Sequence, residues 1–285
     1  MEFYNSTLVD VSAESIADSL ESYFEELTNC IMGGKLTRTM KFLNYADVDE
    51  SNLKDMHVCF CAALEFFQTA MLIHDDIIDQ DVMRRGRIAS HIALGKNEAL
   101  LLGDFVLSAS SWCFSKAQML AEVDGIPCST RMKLSEIWFK MHRDVILGQV
   151  LDTRLVNTPA NELFLDETAQ QKMAGNAQAV VFMKTASYTT VAPALLGFWL
   201  SGEVDASAEA KIWQLEMQKG VEFQRDNDLK DLEKDIQAGK ISALIVELLE
   251  KLPKSEQAHL DVVTKGKCIK SSEVDELRDF IKRRS

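Results

Sequence analysis

The residues best suited to chemistry are carboxylates. His74-Asp75-Asp76-Ile77-Ile78-Asp79 closes the most apolar stretch of the chain. On a helix, Asp75 and Asp79 project from one face about one turn, ~5.4 Å, apart, with Asp76 to the side. Acids so crowded repel one another and are costly to desolvate. A hard divalent cation with oxygen ligands offsets both costs, and magnesium suits the arrangement when substrate phosphates complete its octahedron. A solvated acidic helix end would show the same D-D-x-x-D spacing. Arg84-Arg85-Gly86, five residues past Asp79, favours the metal reading, because two guanidinium forks supply donors for a second anionic group beside the metals.

A second cluster, Phe223-Gln224-Arg225-Asp226-Asn227-Asp228-Leu229-Lys230-Asp231, lies far along the chain. Asn227 and Asp231 stand at i and i+4, with Gln224 about one turn earlier. By itself the run reads as an exposed charged helix. Paired with the first cluster it becomes half of a metal–diphosphate site, since facing helices can hold metal between them.

The elements that must carry these residues are helices. Ile16, Leu20, Phe24, Leu27 and Ile31 form one apolar stripe, which Gly33-Gly34 ends. A nearly all-round apolar helix is expected over Leu53 to Ile78, and another over Ala99 to Met119. Asp124-Gly125-Ile126-Pro127 marks a turn. Further helices are expected over Ser129–Val156, Asp166–Thr190, Ala206–Asp235 and Ala243–Lys251. With four prolines, thirteen glycines and no strand-like alternation, the chain reads as one all-α domain over residues 1–285.

A net charge of -13 argues against a nucleic-acid partner, but not against an anionic substrate, because bound metals invert the local field. Cys30, Cys59, Cys61, Cys113, Cys128 and Cys268 show no C-x-x-C pair and read as reduced, mostly buried thiols. No signal peptide is evident, and no apolar run reaches the ~20 residues of a membrane span. A cytoplasmic protein is expected.

The motifs together resemble the trans-prenyl diphosphate synthase family, which includes farnesyl and geranylgeranyl diphosphate synthases. Gly33-Gly34-Lys35 with Arg38 resembles its G-G-K-x-x-R element, and Glu65 to Asp79 with Arg84-Arg85-Gly86 its first aspartate-rich region. Gly103-Asp104, Gly148-Gln149 with Leu151-Asp152, Lys184-Thr185, and Phe223-Gln224 with the second cluster follow in the family's order. The resemblance implies one large helical bundle of the isoprenoid synthase type, usually homodimeric, with an apolar cavity between the two aspartate-rich helices. It implies magnesium as cofactor, three ions, ligated by Asp75 and Asp79 with Asp76 in support, and by Asn227, Asp228 and Asp231. Arg84, Lys184, Thr185 and Gln224 would hold an allylic diphosphate. Lys35, Arg38, Gln68 and Arg85 would hold isopentenyl diphosphate, and Lys240 resembles the basic G-K-x-[ST] element. Among these, Asp75, Asp79, Arg84 and Lys184 would carry catalysis. Ala70 and Met71, five and four residues before Asp75, would floor the cavity and limit the product to fifteen or twenty carbons.

The sequence also departs from the family. Asn227 stands where relatives usually carry Asp, so it keeps a carbonyl oxygen but loses charge. The segment from Asp231 to Gly239 is shorter than usual, with Lys234 the nearest match to a lysine found there. Asn227, Asp231 and Asp235 also resemble the metal motif of terpene cyclases. Two alternatives therefore stand beside chain elongation: a synthase-like terpene cyclase and a weakly active regulatory subunit. Lys35, Arg38 and Arg85 favour elongation, because a cyclase ionises one allylic diphosphate and has no use for an isopentenyl diphosphate apparatus. His74 reads as a supporting or packing residue. Trp112, Phe114, Trp138 and Phe139 read as core or dimer contacts, and Lys282-Arg283-Arg284 as a solvated end.

Overall fold

A computed structural model describes residues 20–156, 167–202, 205–237, 242–244 and 279. Its helices are α1 (Glu21–Ile31), α2 (Thr37–Tyr45), α3 (Asp55–Asp79), α4 (Ser90–Ala93), α5 (Lys96–Val123), α6 (Cys128–Val156), α7 (Glu167–Val180), α8 (Ala192–Ser201) and α9 (Ala206–Gln237). A π-helical segment, Val181–Val191, joins α7 to α8. The fold class is all-α, as expected. The helix expected over Ala243–Lys251, Lys240 and the basic C-terminal residues lie outside the described residues, except that 243–244 are helical.

The chain divides into two compact units, residues 1–40 with 49–126, and residues 41–48 with 127–285. In the first, α3 and α5 pack along their length. Ala70, Ile73 and Ile77 of α3 bury against Ala99, Leu102 and Val106 of α5. Burying a side chain such as Leu102 contributes about 2 kcal/mol. Farther along the pair, Phe60 meets Phe114 edge-on at 5.6 Å, and the Ser110 hydroxyl donates to the Ala63 carbonyl at 2.7 Å. α3 stops at Gln80, whose left-handed backbone returns its N–H to the Asp76 carbonyl. A two-residue hairpin follows, β1 (Met83–Arg84) pairing antiparallel with β2 (Arg87–Ile88). Its central residues, Arg85 and Gly86, both have positive φ (52° and 78°), the type I′ geometry that matches strand twist. Arginine is held in that region at a cost of about 1 kcal/mol.

In the second unit the π segment is the axis, flanked by α6 and α9. Gly148 on α6 lets the backbones meet, since a Cβ there would lie 2.6 Å from the Lys184 nitrogen. Gly220 on α9 does the same against Ala186, and Gly197 on α8 against the Phe42 carbonyl. Glu216 of α9 is fully buried and gathers Lys41 and Tyr45 of α2 together with Lys219.

Three differences from the sequence expectations have local causes. α2 was not expected, because its nine residues are too few to show a clear stripe. The helix expected to stop at Thr190 continues to Ser201, with Pro193 at the start of α8, where a missing N–H costs least. α3 and the run Gln171–Ser201 are long and apolar enough to cross a membrane, although no such run was expected. Half or more of each apolar window is buried inside the protein, as in core helices.

Candidate functional site

In the first unit, the end of α3 and the hairpin bring three sequence motifs together. Asp75 and Asp79 are both half-buried, whereas Asp76 is 4% exposed. The hairpin folds Arg84 back so that its guanidinium grips Asp76, with Nε 2.7 Å from Oδ1 and Nη2 on the same oxygen. Nη2 also reaches Asp81 at 3.3 Å and lies 4.0 Å from Asp75. Burial pushes the Asp76 carboxyl above its ordinary value, while the Arg84 guanidinium pulls it back. Burial also works against the Arg84 charge, but Asp76, Asp75 and Asp81 more than offset it.

The next residue, Arg85, extends to Gly34, where an added Cβ would lie 3.5 Å from Nη1. This sets the R-R-G element against the G-G-K-x-x-R element. Lys35 is exposed between α1 and α2, and Arg38 is 4% exposed on α2. Thr39, beside it, donates from both N–H and hydroxyl to Glu65 of α3, at 3.2 and 3.0 Å. A pocket of about 230 Å³ is lined by Gly33, Thr69, Asp76, Arg84, Arg85 and Arg87, among others. Gln68 is half-buried on α3 and does not line this pocket. Ala70 is fully buried in the contact with α5, and half-buried Met71 packs at its edge.

In the second unit, Lys184 of the π segment donates to Asp152 of α6 at 2.6 Å, and Asp152 is 6% exposed. The Thr185 hydroxyl donates to Gln224 Oε1 at 2.6 Å, and Gln224 Nε2 donates to Asp228 Oδ1 at 2.6 Å. The K-T pair thus meets the Gly-Gln-x-x-Asp signature through Lys184 and the second cluster through Thr185. Asn227 is half-buried and Asp231 exposed, while Asp228 and Asp235 are buried. Asn227, Asp231 and Asp235, although spaced four apart, occupy three different environments on α9.

Among the described residues, no three His, Cys, Asp or Glu side chains converge as a ready-made metal cage. Asp75 and Asp79 lie one turn apart on α3. Two contacts of the candidate site residues were not read from the sequence. Asp152 was seen only as part of a signature, and its pairing with Lys184 spans 32 residues. Asp81 holds Arg84 from three residues away, and only the chain reversal after α3 brings the two together.

A sequence profile of the family described as polyprenyl synthetase matches residues 20–281. The chain is 28% identical over 246 residues to geranylgeranyl diphosphate synthase of Methanosarcina mazei, covering 82% of this chain and 68% of that protein. It is 25% identical over 270 residues to solanesyl diphosphate synthase 1, chloroplastic, of Arabidopsis thaliana, covering 85% of this chain and 60% of that protein. The fold is similar to that of geranylgeranyl pyrophosphate synthase of Corynebacterium glutamicum, solved with isoprenyl diphosphate and magnesium. The TM-score is 0.70 at 23% identity, covering 99% of this chain and 83% of that one.

Proposed function

Since the chain belongs to the polyprenyl synthetase family, and is a prenyltransferase of that family, we propose that it joins an allylic diphosphate to isopentenyl diphosphate, yielding an all-trans product of fifteen or twenty carbons. One observation carries the choice of elongation over cyclisation. Arg85 lies against Gly34, so the elements bearing Lys35, Arg38 and Arg85 adjoin, and these cations are what a second diphosphate substrate needs. Residues 1–285 act as one synthase domain in this reading, in a cytoplasmic homodimer.

Asp75 and Asp79 would hold magnesium with Asp76 in support, and Asn227, Asp228 and Asp231 would contribute from α9. Magnesium, when bound with substrate, supplies positive charge against the charge developing on the leaving diphosphate. Arg84, Lys184, Thr185 and Gln224 bind and orient the allylic diphosphate. Arg84 is held by Asp76 and Lys184 by Asp152, each within its own unit. Lys35, Arg38, Gln68 and Arg85 hold isopentenyl diphosphate so that its double bond attacks the allylic cation. Loss of a proton then regenerates an allylic product, and water must be kept out because it would quench the cation. Lys240 would add a basic contact from outside the described residues.

Incubation with magnesium, labelled isopentenyl diphosphate and, separately, five-, ten- and fifteen-carbon allylic diphosphates tests the proposal. Label should enter diphosphates of fifteen or twenty carbons. Folded protein that incorporates none overturns elongation. Allylic substrate consumed without label, giving hydrocarbon or alcohol, identifies a cyclase, and turnover only with a partner identifies a regulatory subunit. Met71 lies one turn before Asp75 on the same face of α3, so Met71→Phe should shorten the product by about one five-carbon unit. An unchanged product spectrum would place the floor elsewhere.

A further inference from the structure

His74 precedes the first metal-binding aspartate, yet its ring turns towards α5. Nε2 lies 3.3 Å from Asp104 Oδ1 and 3.4 Å from the Leu100 carbonyl. Gly103, which is buried, lies beneath it. A Cβ added at Gly103 would come within 3.1 Å of the imidazole Cε1 and would overlap Nε2 and Cδ2. The ring therefore occupies the space in which any other residue's side chain would begin. Alongside, Ile73 and Ile77 bury against Ala99, Leu102 and Val106. Interiors packed in this way do not deform smoothly. Rolling α3 in one sense drives the ring into the α5 backbone, and rolling it in the other withdraws the isoleucines. Asp75 and Asp79 are carried by the same rotation.

We propose that His74, seated on Gly103 and paired with Asp104, is a positioning residue that sets the rotation of α3 and so aims Asp75 and Asp79 at the magnesium–diphosphate group. The inference rests on the reading above for what those carboxylates bind. The fit against Gly103 is its stronger part, because the Asp104 side chain is 61% exposed and an ion pair there contributes little.

The test is calorimetric titration of inorganic diphosphate at graded magnesium, with thermal unfolding of the same proteins. His74→Ala should raise the magnesium needed for half-maximal diphosphate binding by about tenfold. His74→Gln, whose amide nitrogen reaches the place of Nε2, should restore it. Gly103→Ala should damage binding and folding in the wild-type background, yet do little when added to His74→Ala, where its space has been vacated. Wild-type binding by His74→Ala, or equal damage from Gly103→Ala in both backgrounds, overturns the proposal. If the wild type itself fails to bind magnesium and diphosphate, the functional reading falls instead. The thermal unfolding of the Gly103 and His74 variants then still decides whether the seat exists.

Discussion

At Asn227 a single oxygen-for-nitrogen exchange removes a charge from the second cluster. Its neighbours do not replace that charge freely, since Asp228 is buried and accepts from Gln224, and Asp231 is exposed one turn on. Restoring the carboxylate with Asn227→Asp should lower the half-saturating magnesium for product formation by about tenfold, the effect of roughly 1.4 kcal/mol of added attraction. An unchanged magnesium requirement would remove position 227 from the ligand set. On α3 the opposite holds. Asp76 is engaged by Arg84, whereas Asp75 and Asp79, the carboxylates proposed to hold metal, are half-buried one turn apart on the same helix. The i, i+4 spacing made that pair legible in the sequence. The engagement of Asp76 was not, because it depends on a hairpin of two-residue strands that no alternation announces.

At the scale of elements, Lys184 and Thr185 are successive residues of the π segment and reach different partners. Wider turns are rare and frequent at functional sites. Here they are accompanied by hydroxyls bonded to backbone, with Ser187 donating to the Met183 carbonyl at 2.7 Å and Thr190 reaching the Glu216 carbonyl at 2.6 Å. Lys184 turns to α6 and Thr185 to α9. The approach of α6 is permitted by Gly148, whose added Cβ would strike backbone rather than a flexible side chain. Gly148→Ala should therefore destabilise the protein by about 2 kcal/mol and reduce turnover with it, because the displaced backbone carries Lys184. A urea unfolding curve at wild-type midpoint would show that the helices have room to part.

For the molecule as a whole, Glu216 and His142 are two of the groups that contribute to its response to acid. Burial would raise the Glu216 carboxyl, but hydrogen bonds from Lys219, Lys41 and Tyr45 hold it below its ordinary 4.5. Its stabilisation is present above that value and lost as pH falls through the lower folded value. Glu216→Gln leaves Lys41 without its counter-charge and should cost about 3 kcal/mol near neutrality, measured as a lower urea midpoint. His142, beside Trp138 with ring centroids 4.7 Å apart, is pushed by burial from 6.5 to about 4. Because the unfolded imidazole takes its proton first, stability should fall as pH drops from 6.5 to about 4. His142→Leu should flatten the unfolding midpoint over that window, and an unaltered slope would assign it to other groups.

The sequence by itself determined the helical class and most of the helices, and it singled out the groups proposed to bind diphosphate. Apolar periodicity, Gly33-Gly34, the turn at 124–127 and the paired carboxylates are local signals, set by helix geometry and by the cost of burying charge. Only the tertiary structure decided which cation answers which anion. Arg84 is held by Asp76 and Asp81 because the chain reverses at Arg85-Gly86, and Lys184 is held by Asp152 because Gly148 lets two backbones meet. The first pairing depends on a local chain reversal and the second on close approach between helices 32 residues apart in sequence. Spacing along one helix carries no record of them.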